Sequence, residues 1–218
     1  MKRTIVAILA FYFITLHQAG AQTKEIYTSP HFDSIAPHHS QLAIIPFDVS
    51  LNLRPKEKEK LKPGELEALQ KKEGDAVQSA IHTYFLKKKE KEDFKVNFQD
   101  ISRTNALLAK NGWTADTLRT KTKEELCSLL GVDGVISGTL FTDKPMSQEA
   151  SVAIGIVFGV WTPTNSGKCT INVHDGKGGE LLWKYEKTLS RSLGSDINTV
   201  INTMMRKASK RFPYEDIK

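Results

Sequence analysis

Residues 131–140 read GVDGVISGTL, and this stretch decides the fold. Every second position from Val132 to Leu140 is apolar or glycine, which is the spacing of one face of a β-strand. A glycine-rich phosphate loop leaves a strand and enters a helix. Here the chain leaves a helix at Gly131, so the order is reversed. The stretch therefore predicts a buried strand, in which Gly134 and Gly138 leave room for a helix to pack closely on the sheet.

The segment upstream of this strand carries the signals of a short helix. Residues 122–125 read TKEE, a capping box in which hydroxyl and carboxylate each satisfy a free amide at the helix start. Leucines follow at helical spacing, and Gly131 provides a left-handed end. Further upstream, apolar spacing predicts a long amphipathic helix from Glu65 and another helix ending at Gly112.

The remaining apolar runs predict strands and a closing helix. Residues 42–51 form a strand that Pro46 restricts to an edge or a bulge, and 95–99 form a short strand. Residues 168–174 and 180–189 flank the turn DGKGG and predict a hairpin. Residues 195–213 carry an apolar stripe that predicts a final helix. The fold class is an α/β (α+β) sandwich, a mixed sheet with a late β-hairpin that is covered by helices.

The amino terminus has the pattern of a secretory signal peptide over residues 1–21. Lys2 and Arg3 precede an apolar run that ends in the small residues Ala-Gly-Ala. We expect an extended, polar leader over 22–41 and a single domain over 42–218. The two cysteines lie far downstream, so we expect a protein exported to the periplasm or cell envelope without a lipid anchor.

Charge and cysteine content favour a protein-binding role over several alternatives. The net charge of +6 is mild, and basic runs are interleaved with acids, which is typical of solvated helices and argues against nucleic-acid binding. Cys127 and Cys169 are compatible with one disulfide or with two buried thiols. No Cys-x-x-Cys motif is present.

The order of motifs resembles a group of bacterial envelope proteins. The motifs are LAIIPF, LGVDGVISGTL, GELLWKYEKTLSRS and a final FPY, and they cover roughly residues 42 to 214. The group includes the curli secretion lipoprotein CsgG, the amino-terminal domain of TolB and the penicillin-binding-protein activator LpoB. The resemblance implies a non-enzymatic domain that binds envelope partners, although the lipidated cysteine of several members is missing here.

The histidines, aspartates and other residues that could take part in catalysis or bind a metal do not form a recognisable motif. His31, Asp33, His38 and His39 crowd one stretch, but their spacing matches no standard zinc site. The alternative function is a periplasmic hydrolase, built around His174 and nearby carboxylates, or a metal-binding protein. Asp133 and Asp175 flank glycines at turn-like points, where aspartate bonds the backbone. We predict no enzyme activity, no cofactor and no metal.

We therefore predict a binding domain that recognises one or more envelope proteins. Aromatic residues on loops are common interface anchors, so the predicted partner surface includes Trp113, Trp161, Thr162 and Asn165. Residues 147–161 are apolar at their end and too short for a membrane helix. For this segment burial, partner binding and contact with a membrane surface stay open, as does assembly into a homo-oligomer.

Overall fold

The computed structural model describes residues 24–91, 94–142, 166–190, 202, 204–208 and 212–214. The strands are β1 Lys24–Thr28, β2 Gln41–Ile44, β3 Asp48–Leu51, β4 Asn97–Phe98, β5 Gly134–Thr142, β6 Ser166–Asp175 and β7 Leu181–Ser190. The helices are α1 Phe32–Ile35, α2 Pro55–Lys58, α3 Glu65–Lys91, α4 Ile101–Lys110, α5 Ala115–Leu118 and α6 Lys123–Leu130, with a 3₁₀ turn at Ala36–His38.

The seven strands of the described residues form one mixed sheet, in which six follow the order β1-β7-β6-β5-β2-β4 and β3 pairs with β5 outside this path. Strand β5 is parallel to β2 on one side and antiparallel to β6 on the other. Strands β6 and β7 form the predicted hairpin, and β7 pairs with β1. The predicted α/β sandwich with a mixed sheet and a late hairpin is confirmed.

Two apolar clusters cover the two faces of the sheet. The larger one joins α3 and residues 204–208 and 212–214 to side chains of β5, β6 and β7, among them Ile136, Ile171 and Trp183. The smaller one joins α4 and α6 to Val135 of β5 and to Ala43 and Ile45. Helices therefore lie on both faces, and the strand alternation predicted for 132–141 decides which side chains meet each layer.

Residues 24–41 belong to the folded unit, so the expectation of an extended leader over 22–41 is wrong for this part. Strand β1 pairs along its whole length with β7, and Phe32 and Ala36 are buried in the larger cluster. The sequence misled because β1, KEIYT, has exposed residues at most positions and pairs with a strand about 160 residues away. The boundary at residue 42 stays a prediction without support from the sheet.

The strand expected over 42–51 is two strands separated at Pro46. Strand β2 pairs with Gly134 to Ile136, and β3 pairs with Thr139 to Thr142 of the same strand β5. Proline has no amide hydrogen for a sheet ladder, so the pairing stops after Ile44. It resumes at Asp48 with the register shifted by one residue. Phe47 donates its amide hydrogen to the carbonyl of Gly74 in α3 instead.

The glycines of β5 leave room for side chains rather than for a helix, which corrects the expectation for Gly134 and Gly138. A Cβ on Gly138 would lie 2.2 Å from the Phe47 ring, and one on Gly134 would lie 2.9 Å from the side chain of Leu42. The close helix approach occurs at Gly74, where a Cβ would meet the Phe47 carbonyl oxygen at 2.3 Å. Phe47 is thus held between a helix glycine and a strand glycine.

The helix signals are confirmed in detail. Thr122 accepts the amide hydrogen of Glu125, and the Glu125 carboxylate accepts that of Thr122, so the capping box is complete. Gly131 ends α6 at φ 67°, the left-handed region that favours glycine. Among the described residues, no helix combines the length and apolar character needed to cross a bilayer.

Cys127 and Cys169 are free, buried thiols that belong to the two different clusters. Of the predicted closing helix, residues 204–208 are helical, and Met204, Met205 and Ala208 are buried as the stripe requires. Residues 147–161 lie outside the described part of the chain.

Candidate functional site

A cavity of about 540 Å³, here called the histidine cleft, lies where the β6–β7 turn meets α6 and the 3₁₀ turn. His39, Glu124, Cys127, Asp133 and Asp175 line it. A cleft that combines a histidine, two aspartates and a cysteine is the natural place to look for catalysis. Whether it can react depends on which of these groups are free.

Both ring nitrogens of His39 are occupied by buried partners. Nε2 lies 3.0 Å from Oδ1 of Asp175, and Nδ1 lies 2.7 Å from the hydroxyl oxygen of Tyr214. The ionised carboxylate only accepts, so Nε2 donates; in the neutral ring Nδ1 then accepts the tyrosine hydroxyl hydrogen. All three side chains are almost fully buried. The histidine therefore ties β6 to the carboxyl-terminal segment and has no nitrogen left for a substrate.

The two aspartates of the cleft bind backbone amides, as the sequence suggests for both. Asp175 Oδ2 accepts the amide hydrogens of Lys177 and Gly178 in the hairpin turn. Burial alone would raise the pKa of Asp175, but these bonds and the one from His39 outweigh it, so the pKa lies below its ordinary value. Asp133 Oδ2 accepts two amide hydrogens and one hydroxyl hydrogen from Ser40 and Gln41. Both carboxylates are ionised structural acceptors.

The cysteine of the cleft is not an activated nucleophile. Burial, reinforced by the negative charge of Asp175, raises the pKa of the Cys127 thiol to about 12. Cysteine reacts as the thiolate, and this environment keeps the thiol protonated at neutral pH. His39, Asp175, Asp133 and Cys127 of the cleft thus provide neither a free base nor an activated nucleophile.

The crowded stretch His31, Asp33, His38 and His39 does not converge on a metal position. His39 is turned inward to Tyr214, whereas His31 Nδ1 lies 3.1 Å from the Glu180 carboxylate, which also accepts a hydrogen bond from Ser29. Across the described ranges, no three histidine, cysteine or acidic side chains come together in a metal-binding group.

A second cavity, also of about 540 Å³, lies between β5, β6, α5 and the start of α6 and is here called the lysine pocket. Its floor is formed by Ser137 of β5 and by Asn172 and His174 of β6; Ser137 and Asn172 are direct cross-strand neighbours. Lys123 of α6 forms one wall, and Pro46, Phe47 and Leu118 form an apolar wall. His174, proposed as the centre of a hydrolase, therefore lies beside a lysine rather than in the histidine cleft.

A smaller cavity of about 350 Å³, the Trp113 groove, adjoins the lysine pocket and shares Pro46, Ala115 and Leu118 with it. Leu108, Ala109, Trp113 and Leu118 provide its apolar lining. Trp113 is half-buried against the smaller cluster, and Lys121 Nζ lies 4.8 Å from the centre of its ring. Of the predicted partner surface, Trp113 lines this groove, whereas Trp161, Thr162 and Asn165 lie outside the described residues.

The network of His39, Asp175 and Tyr214 was not visible in the sequence, because its members are 136 and 175 positions from the histidine. Lys123 also gave no signal, since a lysine in the first turn of a helix is common on surfaces. The strand alternation of 168–174 does place Asn172 and His174 on one face, and this was the available clue.

No protein-family model and no curated protein sequence matches this chain. Among solved structures, lipoprotein GNA1162 from Neisseria meningitidis is 9% identical, covers 79% of this chain and 95% of its own, and has a TM-score of 0.40. The PelC dodecamer from Paraburkholderia phytofirmans is 12% identical, covers 85% and 93%, and has a TM-score of 0.38. The LpoB C-terminal domain from Salmonella enterica is 11% identical, covers 70% and 84%, and also has a TM-score of 0.38. At these values the likeness carries nothing about activity or partners.

Proposed function

We propose that the chain is an exported, non-catalytic domain of the cell envelope that binds a partner protein through the Trp113 groove. Export is supported by the pattern of residues 1–21, with two basic residues, an apolar run and a small-residue cleavage site. A binding role is supported by the state of the histidine cleft, in which the polar groups serve the fold.

The observation that carries the proposal is the half-buried tryptophan in an open groove. The polar neighbours of the groove are already paired: Lys71 with Asp75 at 2.6 Å, and Asn105 with Gln78 through two reciprocal amide bonds of 3.0 Å. What remains is an apolar surface around Leu108, Ala109 and Trp113. Tryptophan in such a setting is the residue type most enriched among interface hot spots.

The groove fits an apolar side chain presented by a polypeptide. Its volume of about 350 Å³ is sufficient for one or two large side chains and too small for a globular surface to enter. We include Trp161, Thr162 and Asn165 in the same binding surface as part of the proposal. The occupant is a segment of another envelope protein, and a second copy of this chain is the alternative that the experiment separates.

Site-specific photo-cross-linking in intact cells tests this assignment. A benzophenone amino acid replaces Ala109, an exposed residue of the groove, in the full-length chain. The matched control carries the same group at Lys87, which is exposed near the carboxyl-terminal end of α3. The groove is lined by Lys71 and Asp75, nearer the amino-terminal end of that helix. We expect one envelope protein to be captured from position 109 and not from position 87.

The captured protein is then purified and its affinity for the chain measured. Trp113→Ala should weaken binding about tenfold or more, since a truncated hot spot loses at least 1 to 2 kcal/mol. Capture of the chain by itself at position 109 would replace the hetero-partner with a homo-oligomer. Equal capture from both positions, or unchanged affinity of a folded Trp113→Ala variant, would contradict the proposal.

A further inference from the structure

The lysine pocket contains polar groups that the fold leaves without partners. Among the described residues, no carboxylate lies within 4.0 Å of the Lys123 ammonium group, and the pKa of this half-buried lysine is lowered by burial. Nδ1 of His174 is buried and has no hydrogen-bond partner in the part of the chain that the structure describes. Native proteins rarely leave such groups unsatisfied, so each one calls for a physical reason.

The positive charge of the pocket is not cancelled by its other charged residues. Arg119 and Asp48 both line the pocket, but they are joined by two bonds of 2.6 and 3.0 Å and neutralise one another. Lys123 is also the first residue of α6, where the helix dipole already favours negative charge. Because the first turn of α6 already carries Glu124 and Glu125, it is the charge of Lys123 that attracts an anion to this wall.

The remaining walls indicate what the anion must look like. Ser137 and Asn172 offer a hydroxyl and an amide on the floor, and Pro46, Phe47 and Leu118 offer an apolar surface in the same cavity as the lysine. A volume of about 540 Å³ lies within the ordinary range of small-molecule sites. A phosphate group carries more charge than the one unpaired cation among the described residues of the pocket can balance. A carboxylate carries a single charge that Lys123 can balance, and an apolar body attached to it would contact the apolar wall.

We propose that the lysine pocket binds a carboxylate attached to an apolar body, with Lys123 pairing with the carboxylate and Asn172 and Ser137 donating hydrogen bonds. The carboxylate belongs either to a small organic acid or to the carboxyl terminus of a peptide. This inference does not rest on the proposed partner function: the two cavities share Pro46, Ala115 and Leu118, but Lys123, Ser137 and Asn172 line only the lysine pocket.

Fluorescence titration with dansylglycine tests the inference on protein purified from cells that express the full-length chain. The probe combines one carboxylate with an apolar fluorophore, and dansylglycinamide is its uncharged match. We expect saturable binding of the acid and about tenfold weaker binding of the amide. Lys123→Met should weaken the acid about tenfold as well, whereas Lys110→Met, at an exposed position in α4, should leave it unchanged.

Competition separates the two sources of the carboxylate. Displacement of dansylglycine by octanoate alone assigns the pocket to organic acids, and displacement by a tetrapeptide acid but not its amide assigns it to peptide termini. Either result supports the proposal. Equal affinity for dansylglycine and its amide, or unchanged affinity in Lys123→Met, would overturn it, as would no saturation up to about 1 mM probe.

Discussion

The histidine cleft and the lysine pocket have the same volume, yet their polar groups are in opposite states. In the cleft, both nitrogens of His39 and the bonded oxygens of Asp175 and Asp133 are occupied by protein partners. In the pocket, counting the described residues alone, Lys123 has no acid within 4.0 Å and Nδ1 of His174 has no hydrogen-bond partner. A group that is satisfied by its own chain stabilises the fold, whereas an accessible charge without a protein partner is available to a ligand. The presence of histidine and aspartate alone does not separate the two cases.

The largest expected effect is on the cleft. His39→Ala removes the shared partner of two buried groups, so Asp175 and Tyr214 lose a hydrogen bond in a setting that excludes water. We expect the free energy of unfolding in urea to fall by about 3 kcal/mol. Tyr214→Phe, which removes only the hydroxyl, should cost about 1 kcal/mol.

His38→Ala is the matched control, since His38 is exposed and adjacent in sequence. Its unfolding free energy should stay within about 0.5 kcal/mol of the parent. If His39→Ala proved as stable as His38→Ala, the cleft would have to be reconsidered as a site whose histidine is free to react.

The second effect concerns the wall that shapes the lysine pocket. In Gly138→Ala the new Cβ would lie 2.1 Å from the Thr170 carbonyl oxygen and 2.2 Å from the Phe47 ring, so the ring must move. We expect a loss of about 2 to 3 kcal/mol in urea unfolding and weaker dansylglycine binding. Gly178→Ala, whose Cβ would meet only an Asp175 oxygen at 3.6 Å, should change neither by a measurable amount. An unchanged unfolding free energy for Gly138→Ala would show that the Phe47 ring can move without a measurable loss of stability.

The third effect is a pH dependence that belongs to His174. Burial, followed by the charge of Lys123, lowers the pKa of His174 from 6.5 to about 4, with Glu124 opposing. The unfolded chain therefore binds the proton more tightly, and the contribution of this residue is complete above pH 6.5 and is lost as the pH falls towards 4.

Solvent contact moderates the size of this effect. At pH 5 we expect the parent to have lost about 1 kcal/mol relative to pH 7 through this residue, after screening is considered. His174→Gln should lose correspondingly less over the same interval in urea unfolding. Identical pH profiles for parent and variant would show that His174 is protonated without penalty, and hence that its surroundings are wetter than the pocket geometry indicates.

The sequence was sufficient for features that depend on neighbouring residues. The capping box at Thr122, the left-handed end at Gly131 and the alternation along β5 all follow from local stereochemistry. Sequence reasoning failed where contacts between distant segments determine the structure. Strand β1 was interpreted as part of a polar leader because its partner β7 lies far along the chain. Pro46 was recognised as a disturbance, but only the sheet shows that it divides one run into two strands on the same neighbour.

The candidate sites were less accessible to sequence reasoning than the fold. Trp113 was predicted as an anchor because aromatic residues on loops are common in interfaces, and this signal is local in the sequence. Lys123 and His174 became informative only through what they lack, and a missing partner is a property of three-dimensional packing. The same holds for His39, whose role depends on Tyr214 near the other end of the chain.

The most direct test of the contrast between cleft and pocket is the unfolding free energy of Lys123→Met in the absence of any ligand. Lys123 is half-buried without an acid and lies at a helix start, where its charge is unfavourable. The account predicts that the variant is as stable as the parent or more stable by about 0.5 kcal/mol, allowing for solvent screening. A loss of more than about 1 kcal/mol in Lys123→Met, with Lys110→Met unchanged, would contradict the account. It would mean that Lys123 stabilises the fold and is not available to bind a ligand.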